Sequence, residues 1–319
     1  MSLNPDRLLP IEPDARAIAR RLFAEVEHRP IISPHGHTEP VWYAENAPFR
    51  DPASLFVIPD HYIFRMLYSQ GVPLEALGVP RVDAAPVEQD PRAIWRLFAA
   101  NYHLFRGTPS RLWFEHALQT VFDITERLSA SNADRMFDTI SDALKQDAMR
   151  PRALFERFGI DVIATTDSAD DPLAYHDAIR ASGWSGRVVP TYRPDAVVDP
   201  DRPGFRTALR RFVEMSGEAG TFAGYLTAHR TRRAYFQERG ATATDHGHPT
   251  ADTADLSAAD AEALFADILA GTADAEARAL FRAQMLTEMA RMSLDDGMVM
   301  QIHPCLLYTS DAADERSSV

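Results

Sequence analysis

Cysteine is nearly absent from these 319 residues. Cys305 stands alone, so the chain cannot close an internal disulfide, and a reducing compartment is the expected setting. No run approaches the ~20 apolar residues of a bilayer-crossing helix, and the N-terminus carries no signal-peptide core. These absences predict a cytoplasmic protein with no membrane partner. Positive charge is in deficit too. Lys+Arg number 33 against 46 Asp+Glu, a net charge of −13, which argues against a nucleic-acid partner because phosphates need a basic face. A small anionic substrate held by a few local arginines is still compatible with that balance. Low-complexity linkers, repeats of fixed period and glycine-rich phosphate loops are missing as well.

What is present is the material of a large core. Hydrophobic residues make up 45% and charged residues 25%, the profile of a soluble globular chain. The length exceeds a usual single domain of ~150 residues but suits a barrel of ~250 with an insertion. Residues 14–27 place Ile18, Leu22, Phe23 and Val26 at helical spacing, and Pro30 to Ser33 then reads as a short buried strand ended by Pro34. A helical block follows over about 60–157, with helices near 60–70, 90–105, 110–127 and 133–147. Asp90-Pro91 and Thr108-Pro109 pair a capping residue with proline at the first helical position. Strand-like runs return at Asp161 to Thr165, Arg187 to Thr191, Ala241 to Thr244 and Met298 to Ile302, separated by helical stretches over about 172–182, 205–236 and 257–293.

This order predicts an α/β fold with a parallel sheet: a TIM-like (β/α)8 barrel with a helical insertion after its first strand, incomplete at about five of eight strands. From Cys305 the pattern changes abruptly. Cys305 to Glu315 resembles the translation of a sequencing adapter, which predicts a partial barrel over 1–304 and a non-native tail over 305–319.

In a parallel barrel the reactive groups follow the C-terminal ends of the strands. His35-Gly36-His37 follows the first, and two histidines at i and i+2 on extended chain point the same way, so both can reach one metal ion. Thr165, Thr166 and Asp167 follow the second strand; Thr191, Tyr192 and Arg193 the third; Asp245 and His246 the fourth; and His303 ends the fifth. Each has a plainer reading. Arg193 can pair with a neighbouring carboxylate, and Asp195 reads as a helix N-cap. His248 reads as a solvated loop residue, and His103, His116 and His176 as structural histidines on helices. Met285, Met289 and Met292 have the spacing of core residues.

Several segments together resemble the uronate isomerase family of the amidohydrolase superfamily. They are Pro30-Ile-Ile before His35-Gly-His37, Asp60-His61-Tyr62 with Arg65 and Gly71-Val72, and Gly107-Thr-Pro109 with Trp113. Further along come Thr165-Thr-Asp167 with Asp171-Pro-Leu and His176, Pro190-Thr-Tyr-Arg193-Pro-Asp195, Asp245-His246-Gly247 and Gln301-Ile-His303. The resemblance implies the barrel with its insertion and an intramolecular oxidoreductase. Its reaction would turn D-glucuronate into D-fructuronate and D-galacturonate into D-tagaturonate through an enediol, in uronate catabolism.

On this sequence the resemblance makes His35 and His37 ligands of a divalent metal, usually zinc, and places His61, Tyr62 and Arg193 in the substrate pocket. Tyr62 is the expected proton-transfer group with His61 beside it, and Arg193 the carboxylate clamp. Asp167, His246 and His303 are expected to touch the hexuronate. Family members draw a metal-binding Asp and a nearby Arg from the last barrel strand, so the chain as written is expected to bind metal poorly and be inactive. A metal-dependent hydrolase of the same superfamily and an inactive truncated fragment stand as alternatives. Assembly into homo-oligomers is open.

Overall fold

The computed structural model describes residues 3–304 apart from 82, 218 and 219. The expected tail over 305–319 lies outside the described residues. The chain divides into two compact units, one drawn from 3–31 and 46–159 and the other from 32–45 and 160–304.

The first unit is helical, and several of its helices open on a side-chain cap. Asp90 accepts from Arg92 N to open Pro91–Asn101, and Thr108 accepts from Arg111 N to open Pro109–Phe122. The second of these ends earlier than the expected 127 because Asp123 turns left-handed, with φ 55°. Asp60 takes Tyr62 N at 2.9 Å and Ile63 N at 3.2 Å, which starts the helix His61–Ser69. Inside, the Trp95 ring meets Phe98, Phe114 and Phe137 at centroid distances of 5.7, 6.1 and 6.4 Å. Its Nε1 donates to Ala133 O at 3.0 Å, so the indole is buried with its polar atom satisfied. The N-terminal helix Pro13–Val26 has its expected amphipathic spacing but buries none of its residues among those described.

The second unit carries the strands: β1 (Ile31–Ser33, which begins at the unit boundary), β2 (Ile160–Ala164), β3 (Asp167–Ser168), β4 (Arg187–Val189), β5 (Tyr192–Arg193), β6 (Ala243–His246) and β7 (Val299–Ile302). They form two sheets, ordered β1-β2-β4 and β3-β5-β6-β7. Five expected strands thus become seven, and the reason is local. The second is interrupted at Thr165-Thr166 and the third at Pro190-Thr191, where proline has no N–H to give. The pairing nevertheless continues through both breaks: Thr165 N, Asp167 N and Ala169 N donate in turn to Val189 O, Thr191 O and Arg193 O at 2.9, 3.0 and 2.9 Å. Partners keep one offset on both sides, Val162 with Arg187 and Asp167 with Tyr192. Among the described residues the strands make these two parallel sheets and do not close a barrel.

Other expectations need correction. The first strand is not buried: Ile31 and Ile32 are 48% and 65% exposed, and among the described residues β1 pairs on one side only. The long helical stretches each split where a glycine takes a positive φ. Gly217 ends Phe205–Ser216 ahead of Phe222–Gln237, and Gly271 ends Ala258–Ala270 ahead of Ala275–Asp296. The core between these helices and the strands includes Tyr192, Phe212, Tyr225, Phe265 and Phe281 with Met285, Met289 and Met292, so the methionine series is core as its spacing predicts. No helix among the described residues is long and apolar enough to cross a membrane.

Candidate active site

The segment after β1 is held by its main chain. Thr166, in the break between β2 and β3, donates its hydroxyl to Gly36 O at 3.0 Å, and Gln301 of β7 donates Nε2 to Pro34 O at 3.2 Å. An added Cβ at Gly36 would sit 3.0 Å from Ala164 O, so the approach of this turn to the end of β2 favours glycine. Held this way, His35 and His37 do point to the same side, with their Nε2 atoms 3.2 Å apart and their rings edge to face at 4.9 Å.

That spacing fits a metal pair. Two nitrogens each ~2.0–2.1 Å from a tetrahedral zinc ion lie about 3.3 Å from one another. His35 Nδ1 is buried without a hydrogen-bond partner among the described residues and lies 3.8 Å from Asp245 Oδ1. No trio of His, Cys, Asp or Glu among the described residues is arranged as a complete metal site.

Asp245 is the hub of this cluster. β6 carries it fully buried; Oδ1 accepts from His303 Nε2 at 2.6 Å, and Oδ2 lies 3.2 Å from an Arg193 NH1. Burial opposes its ionisation, but the His303 hydrogen bond and the charges of Arg193, His303 and His35 outweigh that and hold its pKa below the ordinary range. Arg193, brought alongside by β5, turns its Nε to Asp195 Oδ2 at 2.8 Å. Asp195 is therefore not the N-cap expected of it. It is the first residue of a four-residue turn, Asp195–Val198, behind Pro194, and both its oxygens also take Gly247 N at 3.2 Å. Burial works against its charge as well, yet Arg193 and then His248 and Arg202 keep its pKa low.

Asp245 and His246 belong to β6 rather than to the loop after it, because the strand starts at Ala243 and runs two residues past the expected end. His246 is fully buried and shares a hydrogen bond of 2.8 Å with Thr244 Oγ1; burial pushes its pKa down to about 3, so the ring is neutral. His248 is not solvated. It is 4% exposed, its ring stacks with His246 at 5.8 Å, and burial lowers its pKa.

Asp167 sits at the start of β3, one residue before the partner of Arg193. Its Oδ2 accepts from Thr165 Oγ1 at 2.6 Å and from Thr191 N at 3.3 Å, and His176 Nε2 meets the same threonine hydroxyl at 2.9 Å. Burial raises the Asp167 pKa to about 7 and lowers that of His176 to about 4. His176 is thus a structural histidine, as its place on a helix suggests.

The second unit brings His35, Arg193 and His303 together around Asp245, with His37 beside His35, His246 on the strand of Asp245 and Asp167 on β3 of the same sheet. His61 and Tyr62 belong to the first unit. There His61 is buried, Tyr62 is 49% exposed, and their rings lie 4.0 Å apart. The sequence reading noted Asp245 but gave it no role. The signal was available: an Asp next to a strand of small residues, Ala241 to Thr244, stays buried only when paired.

A family model described as glucuronate isomerase matches residues 14–310. Uronate isomerase of Brucella canis is 65% identical over 95% of this chain, and that of Rhizobium meliloti 61% identical over 95%. The chain spans about 65% of the length of these relatives. Among solved structures, glucuronate isomerase from Caulobacter crescentus superposes with a TM-score of 0.92 at 56% identity, covering 95% of this chain and 63% of that one. Uronate isomerase from Thermotoga maritima gives 0.85 at 25% identity, covering 95% and 64%. The expectation of inactivity draws no support from relatives that match nearly the whole chain. By the match over 14–310, the chain belongs to the glucuronate isomerase family.

Proposed function

We propose that this chain belongs to an enzyme that interconverts aldose and ketose forms of hexuronates, D-glucuronate with D-fructuronate and D-galacturonate with D-tagaturonate. It would act in the cytoplasm on a dissolved sugar acid, on a (β/α)8 scaffold of which the two parallel sheets are part. The observation that carries the reading is the convergence on Asp245 of Arg193, His303 and His35, with His37 Nε2 facing His35 Nε2.

The reaction needs no oxidant. The proton on C2 leaves while the C1 carbonyl oxygen gains one, giving an enediol; the O2 hydroxyl then loses its proton as C1 takes one up, leaving a ketone at C2. Such chemistry asks for a positioned proton carrier, donors for developing negative charge and a clamp on the C6 carboxylate. Tyr62 fits the proton carrier, with the His61 ring tilted against it at 4.0 Å. Arg193 fits the clamp because its planar fork matches a carboxylate. Asp245 holds that fork from one side and Asp195 from another. Asp167, His246 and His303 would border the sugar. His35 and His37 would hold a divalent ion, zinc by the chemistry of paired imidazoles, which when bound supplies Lewis-acid polarisation of a substrate oxygen.

The test is incubation of the zinc-supplied chain with D-glucuronate in heavy water, followed by proton NMR. Ketose carrying deuterium at C1 is the expected product. A chain that loads zinc yet neither converts nor binds glucuronate would overturn the reading.

A further inference from the structure

The histidine pair owes its geometry to something outside the pair. His35-Gly36-His37 is a turn with no regular hydrogen-bond ladder of its own, yet the two Nε2 atoms meet at 3.2 Å. Directions of two flexible side chains are fixed only if the backbone between them is fixed. The carbonyl between the two histidines, Gly36 O, accepts the Thr166 hydroxyl at 3.0 Å. From the other side Gly36 approaches Ala164 O so closely that a Cβ would reach it at 3.0 Å. Thr166 lies in the break of the strand, beyond Ala164, where main-chain pairing runs through Thr165 and Asp167 to Val189 and Thr191. Its side chain is therefore presented by a rigid ladder while it leaves that ladder on the alternate face.

Its neighbour makes the contrast. Thr165 spends its hydroxyl on Asp167 and His176, inside the unit. Thr166 spends its own on the turn that carries the two imidazoles.

We propose that Thr166 is a positioning residue for the metal pair: its hydroxyl fixes the Gly36 carbonyl, and through it the convergence of His35 and His37. The proposal rests on the reading of those histidines as metal ligands. Groups behind the ligands orient them, and removing one typically weakens metal binding about 10-fold or more.

The experiment is a zinc titration of the full chain against a chromophoric chelator, without sugar, for wild type, Thr166→Val, Thr166→Ala and Thr166→Ser. Thermal unfolding of the metal-free proteins runs in parallel. The expected result is zinc affinity lowered about 10-fold in Thr166→Val and Thr166→Ala and restored in Thr166→Ser, with metal-free melting of Thr166→Ala and Thr166→Ser close to wild type. Alanine serves as the decisive variant if valine does not fold in the crowded turn. Unchanged zinc affinity in Thr166→Ala overturns the proposal, as does a serine variant as weak as alanine, which would assign the effect to the methyl group. Wild type that binds no zinc overturns it together with the metal reading. Wild type that binds zinc yet, in the separate heavy-water assay, neither converts nor binds glucuronate overturns the proposed function alone.

Discussion

Arg193 Nε donates to Asp195 Oδ2 at 2.8 Å, and both side chains are buried. A guanidinium gripped through Nε can no longer swing about its last bonds, so its remaining N–H groups have a set direction. One of them lies 3.2 Å from Asp245. An arginine held this way binds a planar anion with little further loss of side-chain freedom.

Replacing it should therefore show in binding. Arg193→Met is expected to raise KM for glucuronate about 10-fold or more, the scale of one charge-assisted contact of ~1.5–3 kcal/mol. It also removes the cation that Asp195 and Asp245 share, leaving Arg202 to the first and His303 to the second, which costs stability on the order of 3 kcal/mol in urea unfolding. Assay well below the lowered melting temperature separates the two effects; an unchanged KM there would reject the clamp.

Tyr62→Phe keeps the ring beside His61 and removes only the hydroxyl. The expected result is kcat lowered about 100-fold or more with zinc content unchanged, the range of general acid–base contributions. Normal turnover would sink the proton-transfer role.

His35→Ala and His37→Ala should each cut zinc retention after dialysis to a small fraction of wild type, because an imidazole pair reduced to one nitrogen loses its chelate. Metal analysis of the dialysed proteins decides it. Retention equal to wild type in either variant places the ion elsewhere.

The buried carboxyls should act on stability with opposite signs. Asp167 has its pKa raised by burial to about 7, so its folded form favours the proton, and its contribution to stability is full below pH ~4 and lost as pH rises through 7. Asp245 is held low against burial by His303 and then Arg193, so its contribution is present above pH ~4 and lost as pH falls below that. Urea midpoints of wild type, measured from pH 4 to 8, are expected to slope downward between 4 and 7, and those of Asp167→Asn to lose that slope. A wild-type slope that persists in the variant rejects this assignment.

Much of this was legible in the order of residues. Caps at Asp90 and Thr108 announce their helices, since a side-chain oxygen ahead of proline solves the problem of unpaired helical N–H groups. The i, i+2 spacing of His35 and His37 pointed to their convergence, although the segment bends after β1 and is held by Thr166 and Gln301 rather than by strand pairing. The depth of burial was harder to read. Ile31 and Ile32 look like core and are exposed, while His248 looks like loop and is buried, because burial depends on what other strands and turns bring alongside. Asp195 looked like a cap for a related reason. Its partners Arg193 and Gly247 lie on different strands' ends, and only their pairing shows that the carboxylate faces inward.

The matched interruptions of the second and third strands make 160–168 and 187–193 a pair of rulers. An insertion or deletion of one residue inside an ordinary surface loop is absorbed by the loop. Here the ladder resumes after each interruption at the same offset, so one residue more or fewer in either would turn Asp167 or Arg193 to the opposite face of the sheet. Length changes in these two stretches should therefore be far less tolerated than substitutions, and viable length variants should change both stretches together.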